Sequence, residues 1–441
     1  MRPSEGHQLA PLARQERIKA LAAALTPTVG TVDASRDARA LGSRPTVMTT
    51  SFSPDSRDPA DTAEAHALRA ALAGHASLSA LHASPDWPEL RMRLATFLDR
   101  IRLHPAPDPD PDPPARDGGR VRVVHWNLEH GNRFEAVAAA LTGHPQLVHA
   151  DLVSLNEVDL GMARSGNRDV AAELGARLGM HVAWAAMFLE STRGRDDDEV
   201  TAVPEDNRES LFGLALLSRW PIASVRLVPL PGPEALLFNR ERMAGRFVAL
   251  ACDIAHPSRP YTAVTVHLEV HRTRAHRATQ MRLLLGALAG VRRPLVLAGD
   301  FNSHTFDRGL RRGTLRAAWA FLAQPSPSLT RRLTRPDRGP HREWLFDELH
   351  RAGFAWESYS DGEPTLSLRF ARLGEVQSMP NPVRRLASRS MAWAERRAQL
   401  RLDWIAARGF RHDAGTGHTV TGLDGPGLAS DHAPIVAELA F

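Results

Sequence analysis

The 441 residues carry 55 Lys+Arg against 50 Asp+Glu, a formal net charge of +5, and 43% of them are hydrophobic. That is enough apolar chain for one large domain with extras, or for two. The single cysteine, Cys252, excludes an intrachain disulfide and any cysteine-based metal cluster.

No apolar run approaches the ~18–20 residues that cross a bilayer. The start of the chain also lacks a secretory pattern, because Glu16 and Lys19 interrupt the approach to the short apolar stretch Leu21–Leu25. A monomeric cytoplasmic protein without membrane insertion is the expectation. Lys19 is the only lysine, so the basic balance is carried by arginine, a planar bidentate donor suited to phosphate.

Residues 1–117 differ from the rest. Ile18–Leu25, Ala65–Leu81 and Leu90–Ile101 have helical periodicity, with Ser-, Thr-, Pro- and Asp-rich stretches between them. His104–Gly119 alternates Pro with Asp and ends in two glycines, the composition of a stiff linker. The pattern predicts a helical or disordered N-terminal extension joined to a compact domain over 118–441.

From Val121 the chain alternates buried-strand and helix patterns. Val121–Trp126 reads as a strand leading to Asn127. A helix over Phe134–Leu141 precedes a second strand, Leu152–Leu155, that runs into Asn156, Glu157, Val158 and Asp159. Arg168–Leu178 reads as helix. Strands follow at His181–Leu189, Leu211–Leu217, Val225–Leu230, Phe247–Ile254 and Tyr261–His267. The acidic run Asp196–Glu199 between two of them reads as a solvated loop. Helix Thr273–Leu288 leads to the apolar strand Leu295–Ala298, and that strand ends in Gly299, Asp300, Phe301 and Asn302. Residues 303–401 form a long Arg- and Trp-rich segment of helical character. Two further stretches close the chain: Arg401–Ala406, which contains Asp403, and Ser430–Leu439, which contains Asp431, His432 and Pro434. Strands with helices between some and hairpins between others predict a layered α/β protein.

Polar groups therefore sit at six strand ends: Asn127, Glu157, His267, Asp300 with Asn302, Asp403, and Asp431 with His432. Each alone is compatible with ordinary loop capping. Together they supply four carboxylates, two amides and two imidazoles, an oxygen-dominated set of the kind that Mg²⁺ takes alongside waters and substrate phosphate. No His-Glu-x-x-His zinc pattern occurs. His267, Glu269 and His271 alternate on an extended segment and leave Mn²⁺ or Zn²⁺ as the lesser reading.

Seven short motifs recur in order over Val121–Phe441. They are Trp126-Asn127-Leu128, Leu155-Asn156-Glu157-Val158, Phe212–Arg219, Val266-His267-Leu268, Gly299-Asp300-Phe301-Asn302, Arg401–Ile405 and Ser430–Pro434. In this the chain resembles the endonuclease/exonuclease/phosphatase (DNase I-like) superfamily. The resemblance implies a four-layer sandwich, two packed mixed β-sheets flanked by helices, with the active site at one rim. By position it implies that Glu157 is the main metal carboxylate, with Asn127 and Asp431 beside it as ligands or supporting partners. It implies His432 as general base oriented by Asp403, Asp300 and Asn302 placing the attacking water and the phosphoryl group, and His267 contacting the phosphate.

Asn156 stands where the family usually has glutamine, and the 303–401 insertion is longer than the resemblance leads one to expect. The polar loop after Glu157, with Asp159, Arg164, Ser165 and Asn167, is placed to touch substrate. There Arg164 is the best phosphate binder, and ordinary turn chemistry is the competing reading. The implied activity is divalent-metal-dependent hydrolysis of phosphate esters, most readily of a nucleic-acid phosphodiester. The alternatives are a small-molecule or lipid phosphoester, and a non-catalytic phosphate-binding module.

Overall fold

A computed structural model describes residues 59–75, 77–107, 119–194, 198–238, 241–307, 324–367, 397–425 and 427–441. The strands, in chain order, are β1 (Ile101–His104), β2 (Arg120–Asn127), β3 (Leu152–Leu160), β4 (His181–Glu190), β5 (Leu211–Ser218), β6 (Ile222–Leu230), β7 (Ala235–Phe238) and β8 (Glu241–Gly245). Then come β9 (Phe247–Ile254), β10 (Tyr261–His267), β11 (Leu295–Asp300), β12 (Leu366–Ser367), β13 (Gln399–Leu400), β14 (Asp403–Arg408), β15 (Arg411–Thr419) and β16 (Ile435–Ala440). One sheet has the order β15-β16-β2-β3-β5-β4-β8-β7, with β1 added on β4. The other runs β14-β11-β10-β9-β6. Each sheet contains one parallel pair, β2 with β3 and β10 with β11, so both are mixed.

Period-two alternation explains the packing. On β2, Val121 and Val123 are buried with Leu214, Val264 and Leu297 in the core between the sheets. Val124 and Trp126 point the other way, into a second core. That outer core is covered by helices Phe134–Gly143 and Val170–Leu178, whose Val137, Leu141, Val170 and Leu174 are buried. Helix Arg274–Ala287 and helix Leu345–Arg351 contribute Met281, Leu284, Leu345 and Phe346 to the core of the second sheet. The result is four layers, helix, sheet, sheet, helix. Local capping agrees with the sequence: Asp169 accepts a bond from the Ala172 N–H at 3.0 Å and Gly179 ends that helix at φ 64°.

The described part of residues 1–117 packs on the sandwich. Helices Pro59–Ala73 and Trp87–Leu98 bury Leu68, Leu90, Leu94 and Phe97 in the outer core. β1 then pairs antiparallel with β4, Ile101 opposite Ala185. A four-residue strand is too short to show a period, and its partner lies about eighty residues downstream. Of the Arg/Trp-rich insertion, residues 308–323 and 368–396 lie outside the described residues, among them Arg308, Arg311, Arg312, Arg316, Trp319, Arg384, Arg385, Arg389, Trp393 and Arg396. Its described part includes helix Ser326–Thr334 and the short β12–β13 pair. Among the described residues no helix is long and apolar enough to cross a membrane.

Candidate active site

The alternation that fills the inter-sheet core with valine near the start of β2 puts His125 and Asn127 on the same face at its end. The parallel register sets His125 beside Ser154 and Asn127 beside Asn156. The next residue, Glu157, does not continue the ladder. The β3–β5 register shifts between Asn156 and Val158, and Glu157 sits at φ 52°, so the extra residue turns its partly exposed carboxylate toward the rim. Left-handed backbone at a non-glycine residue is costly. Among the described non-glycine residues that adopt it, Glu129, His130, Glu157 and Asn302 lie at or beside this rim, while Asn167 and Ser210 lie elsewhere.

On the opposing sheet, Asp300 ends β11 between His267 of β10 and Asp403 of β14. Its Oδ1 accepts the Asn302 N–H at 2.8 Å. Three side chains converge on Oδ2: Asn127 Nδ2 at 3.3 Å, His267 Nε2 at 3.6 Å and His432 Nε2 at 4.0 Å. The same Asn127 amide nitrogen donates to Glu157 Oε1 at 3.2 Å. One amide thus ties together acids from the two sheets. Asn302 is fixed by donation from Nδ2 to the Leu268 carbonyl at 2.7 Å.

His432 arrives on the segment before β16. Trp126 Nε1 donates to its carbonyl at 2.8 Å, and Ser430, whose hydroxyl donates to the Asn127 carbonyl at 2.7 Å, accepts the His432 N–H. His432 Nδ1 bonds Asp403 Oδ2 at 2.7 Å, and Nε2 faces Asp300. Burial alone would drive this imidazole toward neutrality. The Asp403 charge and hydrogen bond, with Asp431 and Asp300 adding, outweigh it and hold the proton affinity well above that of an ordinary histidine. Burial likewise works against the Asp403 carboxylate, but His432 and His125 keep it well below the usual range. For His267 burial wins, lowering its proton affinity despite Asp300.

The donor set fits a hard divalent cation. Glu157 Oε1 and Asp300 Oδ2 turn to one N–H₂ group, and the surrounding donors are oxygens and imidazole. Asp300, Asp403 and His432 each offer a ligand atom within 4.8 Å of the others. Both oxygens of Asp403 already accept hydrogen bonds, however, from His125 and His432. Glu157, by contrast, meets Asn127 through Oε1 and has His130 3.6 Å from Oε2.

The structure therefore brings together Asn127, Glu157, His267, Asp300, Asn302, Asp403 and His432, with half-buried Asp431 adjoining His432. Arg164 and Asn167 do not join them as substrate contacts. Arg164 is fully buried, bidentate on Asp159 at 2.8 and 2.9 Å, with Asp198 and Glu241 also on its guanidinium. Asn167, also buried, donates to the Asp206 carbonyl and accepts from the Arg208 N–H, holding two loops together. The turn reading of that loop prevails. Two residues went unanticipated: His130, 3.6 Å from Glu157 Oε2, and His125, on the far side of Asp403. His125 sits in an apolar strand pattern, where a histidine reads as core. Its two-residue offset from Asn127 was the only available signal. Asn156, the departure from the family's glutamine, accepts the Asp300 N–H at 2.8 Å and donates to Thr265 at 3.0 Å.

The model of the Endonuclease/Exonuclease/phosphatase family matches residues 124–432. Among solved structures, the chain is similar to an endonuclease/exonuclease/phosphatase from Beutenbergia cavernae (18% identity, 73% of this chain and 72% of that one, TM-score 0.43). It is also similar to the 3′-5′ exonuclease NExo from Neisseria meningitidis (16%, 73% and 100%, 0.40) and the human Nocturnin catalytic domain (16%, 73% and 93%, 0.37). No curated protein matches.

Proposed function

Given that the chain belongs to the endonuclease/exonuclease/phosphatase family, and is thereby a phosphoester hydrolase of a generally divalent-metal-dependent kind, we propose that it is a Mg²⁺-dependent phosphodiesterase acting on nucleic acid. Mn²⁺ is the alternative ion, and Asp403-oriented His432 is the general base. The observation that carries this reading is the 2.7 Å bond from His432 Nδ1 to Asp403, with Nε2 turned into the space before Asp300.

A phosphodiester resists attack because its anion repels the nucleophile and its alkoxide leaves poorly. A divalent ion held by Glu157, with Asn127 and Asp431 beside it, would neutralise phosphoryl oxygen and stabilise the leaving oxygen. The protein's own groups do the rest. Asp300 and Asn302 hold the attacking water, and His432 Nε2 accepts its proton. Asp403 fixes the imidazole tautomer and balances the imidazolium that forms. His267, kept neutral by burial, donates an N–H to a phosphoryl oxygen.

Arg332 favours a polyanionic substrate over a small phosphoester. It belongs to helix Ser326–Thr334 and reaches the loop that follows Asn302: its guanidinium donates to the Thr305 hydroxyl and carbonyl, both at 2.9 Å, and stacks 4.2 Å from the Phe306 ring centroid. Among the described residues no carboxylate pairs with it. Burial and the neighbouring Arg274 push its proton affinity down to about 10, with Asp307 and Glu343 acting the other way. Arg274 also lies 5.2 Å over Trp344, whose ring is 45% exposed, giving cation and aromatic face together.

The test is hydrolysis of bis-p-nitrophenyl phosphate and of oligonucleotides with Mg²⁺, Mn²⁺ or EDTA. Turnover of both, abolished by EDTA, with oligonucleotide affinity falling steeply as salt rises, is expected. Turnover of small phosphoesters alone would replace nucleic acid by the small-molecule or lipid alternative. Inactivity with every metal and retained phosphate binding would mark a non-catalytic module.

A further inference from the structure

Between the sheets, directly beneath the proposed base, runs a closed set of buried polar contacts. His432 Nδ1 bonds Asp403 Oδ2. Asp403 Oδ1 lies 3.0 Å from His125 Nε2, and His125 Nδ1 lies 3.1 Å from the Ser154 hydroxyl. Ser154 and Thr265 hydroxyls are 2.9 Å apart, Asn156 donates to Thr265, and the Asp300 N–H donates to Asn156. Asp300 Oδ2 then faces His432 Nε2. Among these six residues the ring crosses between the sheets four times: His125, Ser154 and Asn156 belong to β2 and β3, while Thr265, Asp300 and Asp403 belong to β10, β11 and β14.

We propose that His125 is a positioning residue for the reaction. It clamps Asp403 from the side opposite His432 and keeps the base in register with the Asp300 half of the site across the gap between the sheets. This rests on the reading of His432 as base. His125 links the two halves of this set: its Nδ1 meets the Ser154 hydroxyl and its Nε2 meets Asp403 Oδ1, while Ser154 and Asn156 both donate to the Thr265 hydroxyl oxygen. A carboxylate anchored only through Oδ2 can turn about its Cβ–Cγ bond and carry the His432 ring with it. Anchoring Oδ1 as well fixes its plane. All six supporting residues of the ring are fully or almost fully buried. An apolar filling of the same space would serve packing at least as well. What the polar filling adds is a single relative placement of two sheets whose ends carry the two halves of one site.

Removing a supporting hydrogen-bond partner of this kind costs about 10–100-fold in activity. We expect His125→Leu, which fills the space and removes both bonds, to lower kcat on bis-p-nitrophenyl phosphate by roughly that factor, with KM nearly unchanged. His125→Gln, whose amide can again donate to Asp403, should recover most of the loss while His125→Leu melts no lower than it. Ser154→Ala, which deletes one hydroxyl and keeps the fold, should show a smaller fall in kcat. Wild-type kcat in His125→Leu, or a loss that glutamine fails to rescue and that follows melting temperature, would overturn the assignment. An inactive wild-type protein would instead defeat the reading on which it rests.

Discussion

The contrast between Arg164 and His125 shows how differently two side chains can turn out from what their neighbours suggest. Arg164 stands in a polar loop seven residues after Glu157, where a phosphate contact is a sensible reading. Its partners Asp198 and Glu241 lie 34 and 77 positions away, and nothing local announces them. A buried guanidinium among carboxylates is structural, and deleting it leaves uncompensated buried acids. Arg164→Ala should therefore lose about 3–5 kcal/mol of stability in chemical denaturation, while the folded fraction keeps its KM for substrate. A raised KM at unchanged stability would restore the substrate-contact reading. His125 fails in the opposite direction, since its surroundings in sequence are apolar and its partners come from the facing sheet. The strand-end residues Glu157, Asp300, Asp403 and His432 were legible because acids and imidazoles closing apolar runs are costly without a purpose. Their mutual distances were not, because those are set by packing of segments far apart in the chain.

At the scale of elements, strands with long apolar runs emerged where expected, as at Phe247–Ile254 and Tyr261–His267. The short ones did not: β1 and the β7–β8 hairpin have too few residues to display a period. The consequence is largest for helix Trp87–Leu98 and β1, which cover the outer face and pair with β4 and so belong to the folded domain. Phe97, buried in the outer core, tests this. Phe97→Ala should destabilise the whole domain by about 3–5 kcal/mol, seen as one cooperative transition shifted to lower denaturant. No shift of the main transition would return this segment to the status of a tethered extension.

For the whole molecule, two mixed sheets packed face to face carry the polar ends of β2, β3, β10, β11 and β14 to one rim, where Glu157 and Asn302 adopt left-handed backbone. Stability is spent at that rim on bulged, strained and polar backbone while the rest of the sandwich is conventionally apolar. The described part of the Arg-rich insertion adds cations beside it without rebuilding it. The whole account depends on His432 doing chemistry there. The decisive measurement is kcat of His432→Ala on bis-p-nitrophenyl phosphate in saturating divalent metal, with melting temperature as control. A fall of roughly 10²–10⁴-fold at near-wild-type melting temperature is predicted; near-normal turnover would contradict it.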